Sequence, residues 1–420
     1  MWVKNNGAGA LTITPTTSTI DGAATLVLAT GQWALIVSDG TNYQTAAYVP
    51  SGGGGLTVFT ESLETASPNS SINAARLLVS AAGATTDTDF VLQPKGVGAL
   101  LAQLPTASSV GGNKRGANAV DWQTVRSAAA QVASGTRSVI SGGANNTNAG
   151  ISAVISGGIG NTISSGTATT VGGGSGNTVS GNQNTVSGGA SNNASGGSSC
   201  VGGGEGNITS VGDYTTIGGG DRNQASNYNA TVGGGTQNIA SGDSSTVPGG
   251  AFSQAVGAAS TAMGAYALAR TRGAVASASG NFSTVGDAQT ERLVQRALTT
   301  GATTTALSAD GSTPGANTCA VLPNNSMFAF TIMVSAKVTT FGDRAAYQIT
   351  GAISRGANAA STQIDGTTTV TTLAAIGGAS AWVVTVTANT TLGSLQVNVT
   401  GAAATNIKWV ATISLTEVVG

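Results

Sequence analysis

Glu205, Asp213, Asp221 and Asp243 are the only acidic residues between positions 139 and 262, and Arg222 is the only basic one. Two carboxylates held a fixed distance apart can cleave a glycosidic bond, one as acid and the other as base or nucleophile. These four are scattered over successive predicted corners, and Asp221 stands beside Arg222, which reads as a surface charge pair. Asp87 and Asp89 at a strand start, and Glu61 and Glu64 in a loop, read as solvated. The chain has no histidine, so Ser-His and Cys-His nucleophiles are excluded, as is the commonest metal ligand. No catalytic residue, metal site or cofactor is expected.

Two glycine motifs evoke phosphate loops and fail the test. GGGSGN (172–177) lacks the Lys-Ser/Thr and the strand-to-helix context of a P-loop, and GGNKRG (111–116) fails likewise. No aspartate recurs with the glycines, so the calcium-binding solenoid motif is absent too. Binding chemistry concentrates near the carboxy terminus. Phe341, Asp343, Arg344, Arg355, Asn358 and Trp382 put aromatic and charged groups near predicted turns, the mixture that packs on and hydrogen-bonds a saccharide. Tyr347 and Trp409 read as core residues, and Trp382 reads either way. Arg344 and Arg355 have an alternative use as partners of Asp343 and Asp365.

These residues must be positioned by an unusual chain. Charged residues make up 8% of it, against roughly 25% in ordinary globular chains. Glycine fills 63 of 420 positions, yet 40% of residues are hydrophobic, which separates the chain from disordered sequences. A net charge of −1 offers no electrostatic footprint for nucleic acid or an anionic membrane. The opening MWVKNNGAGA lacks the apolar core of a signal peptide, and no run of 18 apolar residues suggests a membrane span. Cys200 and Cys319 lie in different regions and read as free thiols.

The glycine belongs to a repeat. An apolar anchor precedes each glycine cluster at Ile140, Ile155, Val171, Val186, Val201, Ile217, Val232, Val247 and Ala262, at intervals of 15 or 16 residues. Six residues after the anchors stand Asn146, Asn161, Asn177, Asn192, Asn207, Asn223 and Asn238, then Ser253. Eight after come Ile163, Val179, Ala194, Ala225, Ala240 and Ala255, with Asn148 and Thr209 breaking the column. A short fixed period marks a solenoid. Val, Ile and Thr suit two short strands per coil, and Gly and Asn suit the corners. Stacked coils place identical asparagines in register, where their side chains can form a hydrogen-bond ladder. A single coil encloses a thin core, so glycine-permitted packing of several copies about a shared axis is expected, with a capped monomeric solenoid as the alternative.

The columns, and STAMGAYALA (260–269) in particular, resemble the head repeats of trimeric autotransporter adhesins. The pattern ISGGxxNTxSG…TVGGGxxN resembles shafts of bacteriophage tail fibres. The resemblance covers residues 139 to 270 and implies a trimeric left-handed parallel β-roll. GALTITP…IDGAATLVLATGQWALIVSDGTNYQTA is similar to an amino-terminal β-module of phage tail fibre proteins, and VLPNNSMFAF…RGANAAST…WVATISLTEV resembles their carboxy-terminal domain.

The expected fold is all-β. Residues 1–50 form a small β-module with strands at 11–14, 25–29 and 33–39 and turns at Asp21-Gly22 and Asp39-Gly40. Ser51 to Gly55 is a link, and residues 56–110 form a second β-module. Residues 111–138 connect, with a short helix capped by Asp121 and presenting Trp122, Val125, Ala129 and Val132 on one face. The β-roll shaft spans 139–280. Seven alternating segments over 281–420 read as an antiparallel sandwich or jelly roll.

Together with the resemblance, this implies a homotrimeric phage tail fibre in the virion, assembled in the host cytoplasm. Its amino-terminal modules would join tail or baseplate proteins. Its carboxy-terminal tip would bind a host glycan or outer-membrane receptor, without nucleic acid or membrane insertion. A bacterial surface adhesin and a polysaccharide-cleaving tailspike are the alternatives.

Overall fold

The computed structural model describes residues 1–16, 18–38, 41–49, 62–63, 75–76, 94, 96–210, 212–340 and 342–420. The pairs Asp87/Asp89 and Glu61/Glu64, most of the expected 56–110 module, and Phe341 lie outside the described residues. The chain divides into Met1–Val91 and Leu92–Gly420. The described residues are all-β apart from two short 3-10 turns.

In the first unit, strands β1 (Trp2–Lys4), β4 (Trp33–Ser38) and β5 (Tyr43–Val49) form an antiparallel sheet in the order β1-β4-β5, and β2 (Leu11–Ile13) pairs with β3 (Leu26–Leu28). Alternation in WALIVS puts Ala34 and Ile36 inside with Ile20 and Leu28. Asp21 and Gly22 turn the chain with φ of 51° and 78°, the pair of left-handed residues that a tight two-residue turn demands. The turn expected at Asp39-Gly40 lies outside the described residues.

The second unit opens as a parallel β-solenoid of about 11 coils. One ladder stacks Val139–Ile140, Val154–Ile155, Thr170–Val171 and their successors to Val275–Ser279. A second runs from Thr147–Asn148 to Leu268–Ala269. The anchors Ile140, Ile155, Val171, Val186, Val201, Ile217, Val232 and Val247 are all fully buried within the single chain, as are Ile163, Val179, Ala194, Ala225, Ala240 and Ala255. Asn148 and Thr209 also point inward at 0% exposure. One chain therefore completes the core of its own rod.

The glycines have the same intrachain cause. Gly158 has φ +86°, and a Cβ there would run into the carbonyl of Gly174 in the next coil. Its neighbour Gly157 has φ +150° with open space around it, a backbone conformation closed to side-chain-bearing residues. The close approach that glycine permits is between successive coils of one chain. It therefore gives no separate reason for copies to pack together.

The solenoid starts earlier than the repeat suggests. Leu100–Leu101 pairs in parallel with Val120–Asp121, which pairs with Val139–Ile140. The steps from Leu101 to Asp121 and from Asp121 to Ile140 are 20 and 19 residues, so these coils fall out of the 15-residue register. The helix expected in the connector is absent. Asp121 does not cap anything: it lies in a strand, in the anchor column, with 0% exposure. Trp122 and Val125 face solvent and Val132 is buried, because the segment follows coil geometry and has no helical face.

The rod runs by backbone pairing into a sandwich. Its last strand, Val275–Ser279, pairs antiparallel with β6 (Ala288–Thr299). The remaining long strands are β7 (Ser326–Val338), β8 (Arg344–Arg355), β9 (Gln363–Ile376), β10 (Val383–Asn389), β11 (Ser394–Thr400) and β12 (Ile407–Val419). One sheet has the order β6-β12-β7-β8-β9. The other pairs β10 with β11, whose far side takes the short strands Thr305–Ala306 and Ala320–Val321. Strict alternation in β7 and β12 sends Phe328, Phe330, Ile332, Trp409, Ala411 and Ile413 inward against Val384, Leu395, Val397 and Val399. Two facing sheets make this a sandwich, with each of the seven expected segments on a strand.

Candidate functional site

Of the six residues expected to form a receptor site, the five that are described do not converge. Asp343 precedes β8 and Arg344 opens it, whereas Arg355 closes it and Asn358 follows. Eleven rises of 3.3 Å separate the ends by about 36 Å. Trp382 is a core residue, 4% exposed, with its ring 5.5 Å from that of Trp409. The Tyr347 hydroxyl donates to the Trp382 carbonyl at 3.3 Å. A sandwich poor in aromatics spends its largest side chains on its interior, which removes Trp382 as a sugar platform.

The charges of this region are also structural. Arg355 Nη1 donates to the Leu322 carbonyl at 2.6 Å, so the guanidinium ties the segment before β7 to the end of β8. Asp365 accepts from the Ser354 hydroxyl and the Gln363 amide, so the expected Arg355–Asp365 pair does not form. Arg344 Nη1 donates to the Gly342 carbonyl. Asn358 is exposed and begins the short 3-10 turn Ala359–Ser361.

The solenoid acids are more ordered than four scattered corners. Glu205 and Asp221 bridge on neighbouring coils of one edge. Asp213 and Asp243 lie on another, where Asn229 N–H donates to the Asp213 carbonyl and Ala259 N–H to the Asp243 carbonyl. A shared offset of four residues from Val201 and Ile217 is the signal that groups Glu205 with Asp221. Arg222 stands 3.4 Å from Asp221, with both side chains exposed, as expected of a surface pair.

The carboxylates that do meet were missed by sequence reasoning. Glu291 on β6 and Glu417 on β12 are 4% and 2% exposed at the joint between rod and sandwich. Glu417 Oε2 accepts from Arg270 Nη1 at 2.8 Å and from Gln289 Nε2 at 2.9 Å. Gln289 in turn clasps Leu268 of the last coil through both its N–H and its carbonyl. Burial, and then the charge of Glu417, push Glu291 up to about 8. Burial also raises Glu417, against the pull of Arg270. Glu417 Oε1 is buried and meets no donor. A proton on Glu291 would supply one, leaving the pair with one negative charge to face Arg270. Their positions 126 residues apart in the chain hid the pair; only alternation on two strands predicted to pair could have shown it. Through Arg270 and Gln289 the pair ties the last coil to β12.

On the outer side of the same joint lies a cleft of about 490 Å³ between the last coil corners and the loop before Cys319. Asn227, Asp243, Arg272, Asp310, Asn317 and Thr318 line it. Arg272 N–H donates to the Asn317 carbonyl at 2.9 Å, pinning the loop to the rod. The Ser312 hydroxyl and N–H hold Asp310 down at about 2. Cys200 and Cys319 are both free thiols, and burial raises Cys319.

No protein-family model matches the chain, and no curated protein sequence matches it. Among solved structures it is similar to tailspike protein gp49 of Acinetobacter baumannii bacteriophage Fri1, a capsular polysaccharide depolymerase. That match has 6% identity and a TM-score of 0.19, over 72% of this chain and 71% of that one. The tailspike protein of A. baumannii phage AM24 is similar at 8% identity and a TM-score of 0.20, over 66% of this chain and 63% of that one.

Proposed function

We propose that the chain is a non-enzymatic structural protein of a phage tail, a fibre that attaches the virion to a host surface through its carboxy-terminal sandwich. The observation that carries this reading is one unbroken parallel ladder, Leu100 to Ser279, that passes by backbone pairing into the sandwich. A rod joined in this way to a terminal domain transmits position and force with no flexible hinge between the two. The resemblance of both chain ends and of the repeat to tail fibre proteins supports the same reading. On it, the amino-terminal unit joins tail or baseplate proteins, and assembly takes place in the host cytoplasm.

The fibre is proposed to be a homotrimer. The support for association comes from the sandwich: β9 is a fourteen-residue edge strand with Val370, Leu373 and Ile376 45%, 50% and 46% exposed. Asp365 is its single charge. Long uncharged edges invite pairing, and native proteins cover them. Three copies would also repeat one receptor site threefold and raise avidity.

Light scattering on the undenatured chain tests the assembly, with a molar mass about three times 40.5 kDa expected. Adsorption of the labelled chain to bacterial cells tests attachment, and failure to adsorb to any phage host would overturn it. A tailspike hydrolase would instead release reducing ends from host capsular polysaccharide, an activity not expected here.

A further inference from the structure

We infer that the cleft between the last coils and the sandwich is the receptor site, and that it takes a neutral saccharide. The inference rests on the attachment reading and moves its site from the sandwich turns to the joint.

The floor is bare backbone. At Gly242 and Gly257 any Cβ would strike the carbonyls of Gly257 and Thr271 in the next coil, so no side chain can fill the cleft from below. Above the floor, hydrogen-bonding groups face one another unspent. The exposed guanidinium of Arg272 and the side-chain amide of Asn317 have no hydrogen-bond partner among the described residues. The Asp243 carboxylate accepts only a long bond from the adjacent Ser244 hydroxyl, 3.3 Å, among the described residues. Asp310 is fixed in place by Ser308 and Ser312.

Charge selects the ligand class. Arg270 also borders the cleft, but its guanidinium is committed to Glu417 and to the Gly286 carbonyl. Among the described residues the carboxylates of Asp243 and Asp310 are balanced by two cations, Arg272 in the cleft and Arg296, whose guanidinium holds the Ala309 and Asp310 carbonyls. That balance leaves no net positive charge to gather phosphate, sulfate or nucleic acid. The lining is too polar for an apolar peptide. Hydroxyls, each donor and acceptor at once, match carboxylates, guanidinium and amide together.

The test is binding of the labelled full-length chain to an array of neutral and acidic bacterial surface oligosaccharides, alongside adsorption to cells. The chain is expected to bind neutral members. Asp243→Ala and Arg272→Ala should each weaken that binding at least tenfold with unchanged thermal unfolding, since both side chains are exposed. Asn317→Ala provides a third, uncharged variant with the same expected direction. Saccharide binding that survives all three substitutions would overturn the site and leave attachment standing. Adsorption to cells with no saccharide bound, or a preference for acidic members, would overturn the ligand class. Absence of adsorption to any bacterium would instead sink the attachment reading itself.

Discussion

The side-chain oxygen of Asn177 accepts the backbone N–H of Asn192, one coil further along the rod, at 3.0 Å. Asn192 does the same for Asn207 at 2.9 Å, while its own amide group donates to the carbonyls of Gly188 and Gly204 at 3.0 and 2.9 Å. Each asparagine therefore closes a corner within its coil and pins that corner to the coils on either side. The ladder is made of side chains reaching backbone as much as of side chains stacked on one another.

Asn192→Ala should accordingly be costly. It leaves the Asn207 N–H and the Gly188 carbonyl without partners, while the Gly204 carbonyl keeps the Ala190 N–H. At roughly 1–3 kcal/mol per buried orphan, the loss is on the order of 2–4 kcal/mol. Thermal unfolding of the full chain checks it. An unchanged melting temperature would mean that water replaces the amide and that the corner is open to solvent.

Glycine substitutions should separate two kinds of corner. Gly174→Ala places a Cβ against the Gly189 carbonyl at φ +85°, and a loss of about 3 kcal/mol or more is expected. Ser191 holds φ 55° in the column where another coil has Gly176. Ser191→Gly relieves a left-handed cost of about 1–2 kcal/mol and adds about 0.5–1 kcal/mol of unfolded-chain entropy. A small net gain, shown as a raised melting temperature, is the expected outcome, and a loss would show that the serine side chain contributes to the fold.

The joint should weaken with rising pH. Glu291 is raised from 4.5 to about 8 and Glu417 is raised as well, so the folded state holds a proton that the unfolded chain releases. Stability from this pair is complete below about 4.5 and is lost progressively as the pH climbs to about 8. Glu291→Gln keeps a donor for Glu417 and removes the titration. Melting curves between pH 5 and 9 should therefore flatten in the variant, and a parallel slope in both proteins would place the pH dependence elsewhere.

The rod and the sandwich strands were legible in the sequence because each depends on local pattern. Val171 and Val186 recur at a fixed spacing, and alternation in FAFTIMVSAKV names its own buried face. What escaped depends on chain positions that meet only in three dimensions. Glu291 and Glu417 look like ordinary strand residues until β6 and β12 pair. Trp382 looked available for a ligand because a single sequence does not show that Trp409 and Tyr347 close over it. The wide first coils escaped for another reason: steps of 20 and 19 residues do not align with steps of 15.

Those first coils carry the last prediction. Asp121 occupies the column that holds Ile140 and Ile155 further on, yet it is a carboxylate, with Arg115 Nε at 2.8 Å and Arg126 Nη2 at 3.2 Å. All three side chains are fully buried. The two guanidiniums also bind the carbonyls of Gly111, Asn113, Gln123 and Gln131 and the side chain of Gln103, which gathers the irregular 103–131 segment over the end of the apolar core. By column logic Asp121→Val should be conservative, since valine fits the anchor position. By electrostatic logic it strips the counterion from two buried cations, a loss of about 3–5 kcal/mol. The electrostatic effect should win, because the carbonyls satisfy guanidinium hydrogen bonds without neutralising their charge. Limited proteolysis should then open residues 96–140 while the coils beyond Ile155 stay protected, since solenoid coils depend chiefly on their nearest neighbours. A variant as resistant as the parent chain would show that the carbonyl cage alone suffices and that Asp121 is replaceable by the residue its column predicts.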